Sequence, residues 1–173
     1  MYKLSKYLLV GLGFLFATLN SSAQFKLPHV QLIGMGVYST PTNTAFKNGY
    51  KNGLGVEAGA GIGLGSTMIM GTAGYEAFNN YQLNTLGNLR VTSLKAGIRQ
   101  YIFLGRLFLL GNVGSAIQSY SNNAATASNF IYEYGAGLRM IGLELQLTQS
   151  HWKQPLTTAS NTFNVKLGFS FKL

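Results

Sequence analysis

Phe163-Asn164-Val165-Lys166-Leu167-Gly168-Phe169-Ser170-Phe171-Lys172-Leu173 alternates apolar and polar residues from its first position to its last. Successive side chains of a strand point to opposite faces, so this stretch reads as a β-strand with one oily and one wet face. Extended along the chain, the same alternation puts all four acidic residues, Glu57, Glu76, Glu133 and Glu144, opposite the apolar face. Which face points inward then decides what kind of protein this is.

The N-terminus reads differently. Lys3 and Lys6 precede an apolar run over residues 7–19, and Ser21-Ser22-Ala23 puts small residues just before Gln24. A basic start, an apolar centre and a small-residue break make up a secretory signal peptide. The run is too short for a membrane helix, which needs about 20 residues. The expected organisation is a signal peptide over residues 1–23 and one barrel domain over 24–173, with the net charge falling from +9 to +7 as the two lysines leave. No later stretch could form an apolar spanning helix. A membrane crossing would have to be made by strands closed into a barrel, which pairs every backbone group in lipid. Cysteine is absent, which excludes a disulfide scaffold and thiolate metal sites. The basic balance does not imply nucleic acid, whose recognition needs Lys and Arg clustered on one surface; for an exported chain, a phosphate-rich bacterial surface is the better counter-ion.

Eight segments read as strands: 30–38, 53–64, 67–78, 89–104, 107–120, 130–140, 143–150 and 162–173. The spacers alternate. Long ones at 39–52, 79–88, 121–129 and 151–161 are rich in Asn, Thr and Ser, and short ones at Gly65-Ser66, Gly105-Arg106 and Ile141-Gly142 carry the glycine a tight hairpin wants. Residues facing each other across a two-residue hairpin must share a face. Ile141-Gly142 would then pair Met140 with Leu143 and Arg139 with Glu144, an apolar and an opposite-charge pair together. Gly105-Arg106 would pair Leu104 with Leu107 and Arg99 with Asn112, and Gly65-Ser66 would pair Ile62 with Ile69. An even strand number with alternating long and short connections is the layout of an all-β, eight-stranded antiparallel up-and-down transmembrane β-barrel. Tyr38, Phe78, Tyr81, Tyr120, Phe130, Trp152 and Phe163 gather toward the long loops, and Phe103, Phe108, Phe169 and Phe171 toward the short turns, as two interfacial girdles would.

The competitor is a soluble lipocalin-like barrel with an apolar cavity. A soluble surface is about a quarter to a third charged, whereas this chain is 10% charged. Gly53, Gly55, Gly59, Gly61 and Gly63 share one face with Glu57. That row would weaken an outer surface for no return, but inside a narrow barrel it leaves room for long side chains from the opposite wall, Tyr101 among them. A Lys or Arg facing lipid near the midplane costs about 2–4 kcal/mol, so the charged face is expected inside. There Glu57, Glu76, Glu133 and Glu144 meet Lys95, Arg99, Arg139 and Lys166 in equal number, as a paired network filling the lumen. Gln31 and Gln100 on the expected lipid face, and Phe108 and Leu110 on the inner one, run against the pattern.

On the leader to Ala23, the Gly-rich second strand and the ending Val165 to Leu173, the chain resembles the small eight-stranded outer-membrane barrels of the OmpA and OmpX type. The resemblance implies a Gram-negative outer-membrane location and assembly by the barrel-assembly machinery, which reads the C-terminal strand; the last residue here is Leu173 where Phe is commoner. It also implies outer-membrane lipid and lipopolysaccharide as surroundings, with another outer-membrane protein as a further class of partner. The peptidoglycan-binding role of the larger relatives is not expected, since no periplasmic domain is expected to follow the barrel.

Chemistry is sparse. Asp is absent, and His29 and His151 are the only histidines. Lipid A deacylases of this type place a Ser two residues after the His, where this chain has Lys153, so Ser150-His151-Trp152-Lys153 does not match. The run from Gly59 to Gly65 has a strand's period of two and fails the Gly-x-Gly-x-x-Gly spacing at Leu64. No catalytic residue, metal ligand or cofactor is expected. Lys47, Lys51 and Lys153, in outer loops with Tyr50 and Trp152, are candidates for contact with lipopolysaccharide phosphates or sugars. The expected function is a non-enzymatic structural, adhesive or accessory surface protein. A narrow pore or lateral path for small hydrophobic molecules is the alternative, and lipid A modification or a soluble binder stands behind it.

Overall fold

The structure, a computed structural model, describes residues 28–81, 87–154 and 157–173. The segment read as a signal peptide lies outside the described residues. The strands are β1 (His29–Pro41), β2 (Tyr50–Leu64), β3 (Thr67–Asn80), β4 (Leu89–Ile102), β5 (Leu107–Tyr120), β6 (Asn123–Met140), β7 (Leu143–Gln154) and β8 (Thr157–Lys172), with one-turn helices α1 (Thr44–Gly49) and α2 (Phe103–Arg106) between them. Each strand pairs antiparallel with the next, and β1 pairs with β8 to close the barrel.

The hairpins Gly65-Ser66 and Ile141-Gly142 form as the alternation requires. Ile62 faces Ile69, Met140 faces Leu143 and Arg139 faces Glu144. Ile141 and Gly142 both take positive φ, 49° and 84°, the geometry that lets a two-residue turn follow the twist of its strands. The third hairpin differs. Instead of a two-residue turn at Gly105-Arg106, residues 103–106 make the helical turn α2, so Ile102 faces Leu107 and Arg99 faces Leu110. The register is displaced by two residues from the expected one. Because side chains repeat every two residues, every face in β4 and β5 is nevertheless kept.

Two expected loops are largely strand. Residues 123–129 continue β6 against β5, and 151–154 continue β7 against β8, with Ala116 facing Asn129 and His151 facing Asn161. Asn, Ser and Thr favour turns only weakly, and a ready ladder on the neighbouring strand outweighs that preference.

The apolar face is outside. Leu54, Ile69, Leu94 and Leu167 are 60–69% exposed, whereas Glu57, Lys95, Arg99, Glu133, Glu144 and Lys166 are at most 4% exposed. β1 is the exception to the expected faces: Gln31, Ile33, Met35 and Val37 point inward and Val30, Leu32 and Tyr38 outward. Its register with β2 pairs Val30 with Ile62 and Tyr38 with Leu54, so the strand follows its neighbours rather than its own larger side chains. The aromatic girdles are also thinner than expected. Tyr38, Tyr81, Phe130, Phe163, Phe103, Phe169 and Phe171 are exposed, but Phe78, Tyr120, Trp152 and Phe108 turn inward.

Candidate functional site

The lumen is filled in three layers. In the middle, four even-numbered strands each contribute one charged side chain: Glu57 from β2, Lys95 from β4, Glu133 from β6 and Lys166 from β8. Lys95 Nζ lies 2.7 Å from Glu57 and 2.8 Å from Glu133, and Lys166 Nζ lies 2.8 Å and 2.9 Å from the same two carboxylates. Two ammonium groups thus sit between two carboxylates in a neutral ring. Asn112 donates to Glu133 at 2.9 Å, and Ser150 donates to it at 3.0 Å. Such satisfaction is what a buried charge needs.

Toward the short turns, Arg99 donates to Glu144 at 2.6 Å while its guanidinium lies 5.0 Å from the centre of the Phe108 ring. Gln146 and Gln31 also donate to Glu144, at 2.6 Å and 3.3 Å. Arg139 is the cross-strand neighbour of Glu144, yet the expected ion pair does not form. Arg99 holds that carboxylate, and Arg139 donates to the Gln31 oxygen at 3.1 Å, which Tyr101 also reaches at 3.0 Å. Beside this network Ile33, Met35, Met68 and Met70 pack as an apolar cluster.

Toward the long loops the lumen is closed by rings. Phe46, on α1, enters the mouth and lies 5.3 Å from Tyr50, 5.3 Å from Phe78 and 5.8 Å from Trp152, centre to centre. Leu89, Val91, Ala116, Tyr120 and Ile131 complete the plug. α1 is held over the barrel by its preceding residues: Thr42 N–H donates to Asn161 O at 2.9 Å, and Asn161 N–H donates to the Asn43 side chain at 3.1 Å. Glu76, expected in the ionic network, stands near this end, where it accepts from Ser39 and makes no ion pair among the described residues.

The row of glycines in β2 makes room, but for side chains of adjacent strands rather than of the opposite wall. A Cβ on Gly53 would stand 2.6 Å from the Phe78 ring, and one on Gly61 would strike the Met70 sulfur. The plug and the methionine cluster therefore depend on them.

Ser150 and His151 lie on opposite faces of β7. Ser150 is buried and bonded to Glu133, whereas His151 is half-buried on the outer side, stacked 4.7 Å from Tyr132 and 5.7 Å from Tyr134, with Nδ1 2.8 Å from the Asn161 side-chain oxygen. Strand alternation keeps the two from acting together. His151 is thus a strand residue, not a loop one. His29 lines the short-turn mouth. Lys47 and Lys51 are exposed at the long-loop end, Lys51 over the Tyr81 ring at 5.5 Å; the side chain of Lys153 lies outside the described residues.

Solved structures share this fold. The chain is similar to the N-terminal β-barrel domain of OprF from Pseudomonas aeruginosa, with a TM-score of 0.57 and 13% identity over 82% of this chain and 97% of that one. It is similar to Neisserial surface protein A, with a TM-score of 0.54 and 9% identity over 86% and 99%. It is similar to Ail, the attachment invasion locus protein of Yersinia pestis, with a TM-score of 0.53 and 12% identity over 83% and 97%. The fold is that of the small eight-stranded outer-membrane barrels. No protein-family model and no curated protein matches the chain.

Sequence reasoning missed Phe46 and Gln31 as lumen residues. A signal for Phe46 existed: it is a lone large apolar side chain in a loop of Asn, Thr, Lys and Gly. Gln31 stood out as a polar residue among apolar ones, and read as an inward residue it would have turned β1 the right way.

Proposed function

We propose that the protein is a non-enzymatic integral barrel of the bacterial outer membrane, exported with residues 1–23 as a cleaved signal peptide, and that it serves as a structural or adhesive surface protein. The filled lumen carries this reading. An eight-stranded barrel is only just wide enough for its own side chains, and here an aromatic plug, an ionic ring and an arginine–glutamine network stand in series along the axis. Mature protein in a planar bilayer should show no steady open channel; a stable conducting state would favour the narrow-pore alternative.

Lipopolysaccharide is the proposed contact at the outer rim. Among the described residues the exposed charges toward the long loops, Lys47, Lys51 and Arg90, are all basic, while the glutamates face the lumen. A rim with one sign of charge suits phosphate groups. Replacing Lys47, Lys51 and Lys153 by Gln should weaken lipopolysaccharide binding by the mature barrel, and unchanged binding would overturn this contact.

A further inference from the structure

Among the described bases inside the barrel, Lys95, Lys166 and Arg99 each face a carboxylate, and Arg139 does not. The absence is not for want of a neighbour, since Glu144 stands directly across the ladder from it. Arg99 takes that carboxylate, and the Arg139 guanidinium is left half-buried against the neutral Gln31. Counting the charges of this layer, Arg99 and Arg139 against Glu144, leaves one positive charge in excess. That charge stands at an opening. Arg139 lines an open bowl of about 670 Å³ at the short-turn mouth, together with His29, Ser66, Tyr101 and Lys172. It also lines a second crevice of about 320 Å³, formed by Gly105-Arg106 and the turn from Met140 to Gly142. No acidic side chain lines either space, and the main-chain carboxylate of Leu173 stands at the rim of the larger one.

We propose that this mouth is a binding site for a phosphate-bearing anion, with Arg139 as its anchor and Lys172 and Arg106 at its rim. A guanidinium offers a planar fork of donors that matches two phosphate oxygens, whereas a lysine supplies a mobile point charge. Arg139 spends one donor on Gln31, and no other hydrogen bond among the described residues engages its fork where it lines the opening. Its partial burial strengthens any charge interaction made there beyond what open water would allow. The ligand chemistry is a phosphate mono- or diester, supplied either by the headgroup of a phospholipid in the adjoining leaflet or by a soluble anion entering from that side. Only this choice of source rests on the membrane placement proposed above.

The test uses the mature protein in maltoside detergent micelles, which carry no phosphate, with backbone amide shifts read as inorganic phosphate is added. Saturable shifts are expected at His29, Ser66 and Arg139, with affinity about tenfold weaker for Arg139→Gln, as loss of a charge-assisted contact predicts. Lys172→Gln, at the exposed rim and outside the lumen networks, should weaken binding less, and it keeps the test informative if the arginine variant folds poorly. The same shifts when phosphatidylglycerol is added to the micelles, without inorganic phosphate, would assign the headgroup as the source; shifts with phosphate alone would assign a soluble anion. No saturable shift with either, or shifts that both substitutions leave unchanged, would overturn the site.

Discussion

Replacing Lys166 by Met removes one ammonium from the central ring and keeps most of the side chain's volume. Lys166 Nζ is 2.8 Å from Glu57 and 2.9 Å from Glu133, and it is 1% exposed. After the change, two buried carboxylates share Lys95 alone, so one negative charge is uncompensated. Breaking a buried pair from one side costs about 3–5 kcal/mol, chiefly from the stranded partner. Adding Glu57→Gln restores neutrality, because the Lys95–Glu133 pair at 2.8 Å remains. The double variant should therefore recover about 2 kcal/mol or more of the loss, a coupling within the range seen for residues of one network. Urea unfolding of the barrel in lipid vesicles measures this, and the single tryptophan of the chain, Trp152, reports it from inside the plug, where it is 4% exposed. A cost below about 1 kcal/mol for Lys166→Met, or strict additivity in the double variant, would mean that the ring is hydrated and its pairing is not what holds it.

Phe46→Ala should shift Trp152 emission to the red and speed proteolysis around α1, because the ring contacts at 5.3–5.8 Å anchor that helix. The barrel's unfolding midpoint should hardly move, and conductance should stay closed, since the ionic layers below are intact. Ile141→Asn should raise stability by roughly 1 kcal/mol in the same urea assay: a β-branched residue at φ 49° is strained, and its side chain is fully exposed, so no packing is lost. Leu167→Lys, on the outer face at 60% exposure, should cost about 2–4 kcal/mol in vesicles if it lies near the midplane; a neutral result would count against lipid on that face.

What the sequence made legible follows from the period of two. Strand number, hairpin order and the inward face of β2, β4, β6 and β8 all rest on alternation, and a mistaken turn at Gly105-Arg106 left the faces intact because its register error was an even number. β1 was harder. Ile33, Met35 and Val37 form one apolar row and Val30 and Leu32 belong to another, so the strand's own residues favour the wrong face; only its ladder with β2 and β8 decides. Nor can spacing show which acid a base will choose. Arg139 and Glu144 sit opposite each other, and the reach of Arg99 from β4 settles the pairing. The plug was invisible for a related reason: α1 gains its position from hydrogen bonds to β8, a strand more than a hundred residues away along the chain.

The central ring also bears on how this chain finds one register. Its members come from β2, β4, β6 and β8, so every second stave of the barrel carries one charge to the axis. A slip of one residue in any of these strands would turn its charge toward lipid and strand a counter-charge inside, two penalties that act together. The odd strands bring neutral groups to the ring instead, with Asn112 from β5 and Ser150 from β7 reaching Glu133. A slip in β7 would still turn Glu144 away from Arg99, and one in β3 would turn Glu76 outward, whereas β1 and β5 carry no such penalty of their own. Their register is fixed through the neighbours they pair with on both sides, which is how β1 can turn three large apolar side chains inward and still close the barrel. On this reasoning the ring adds more to the uniqueness of the fold than to its net stability, because a neutral apolar layer of the same volume could fill the lumen equally well but would not tell one register from the next.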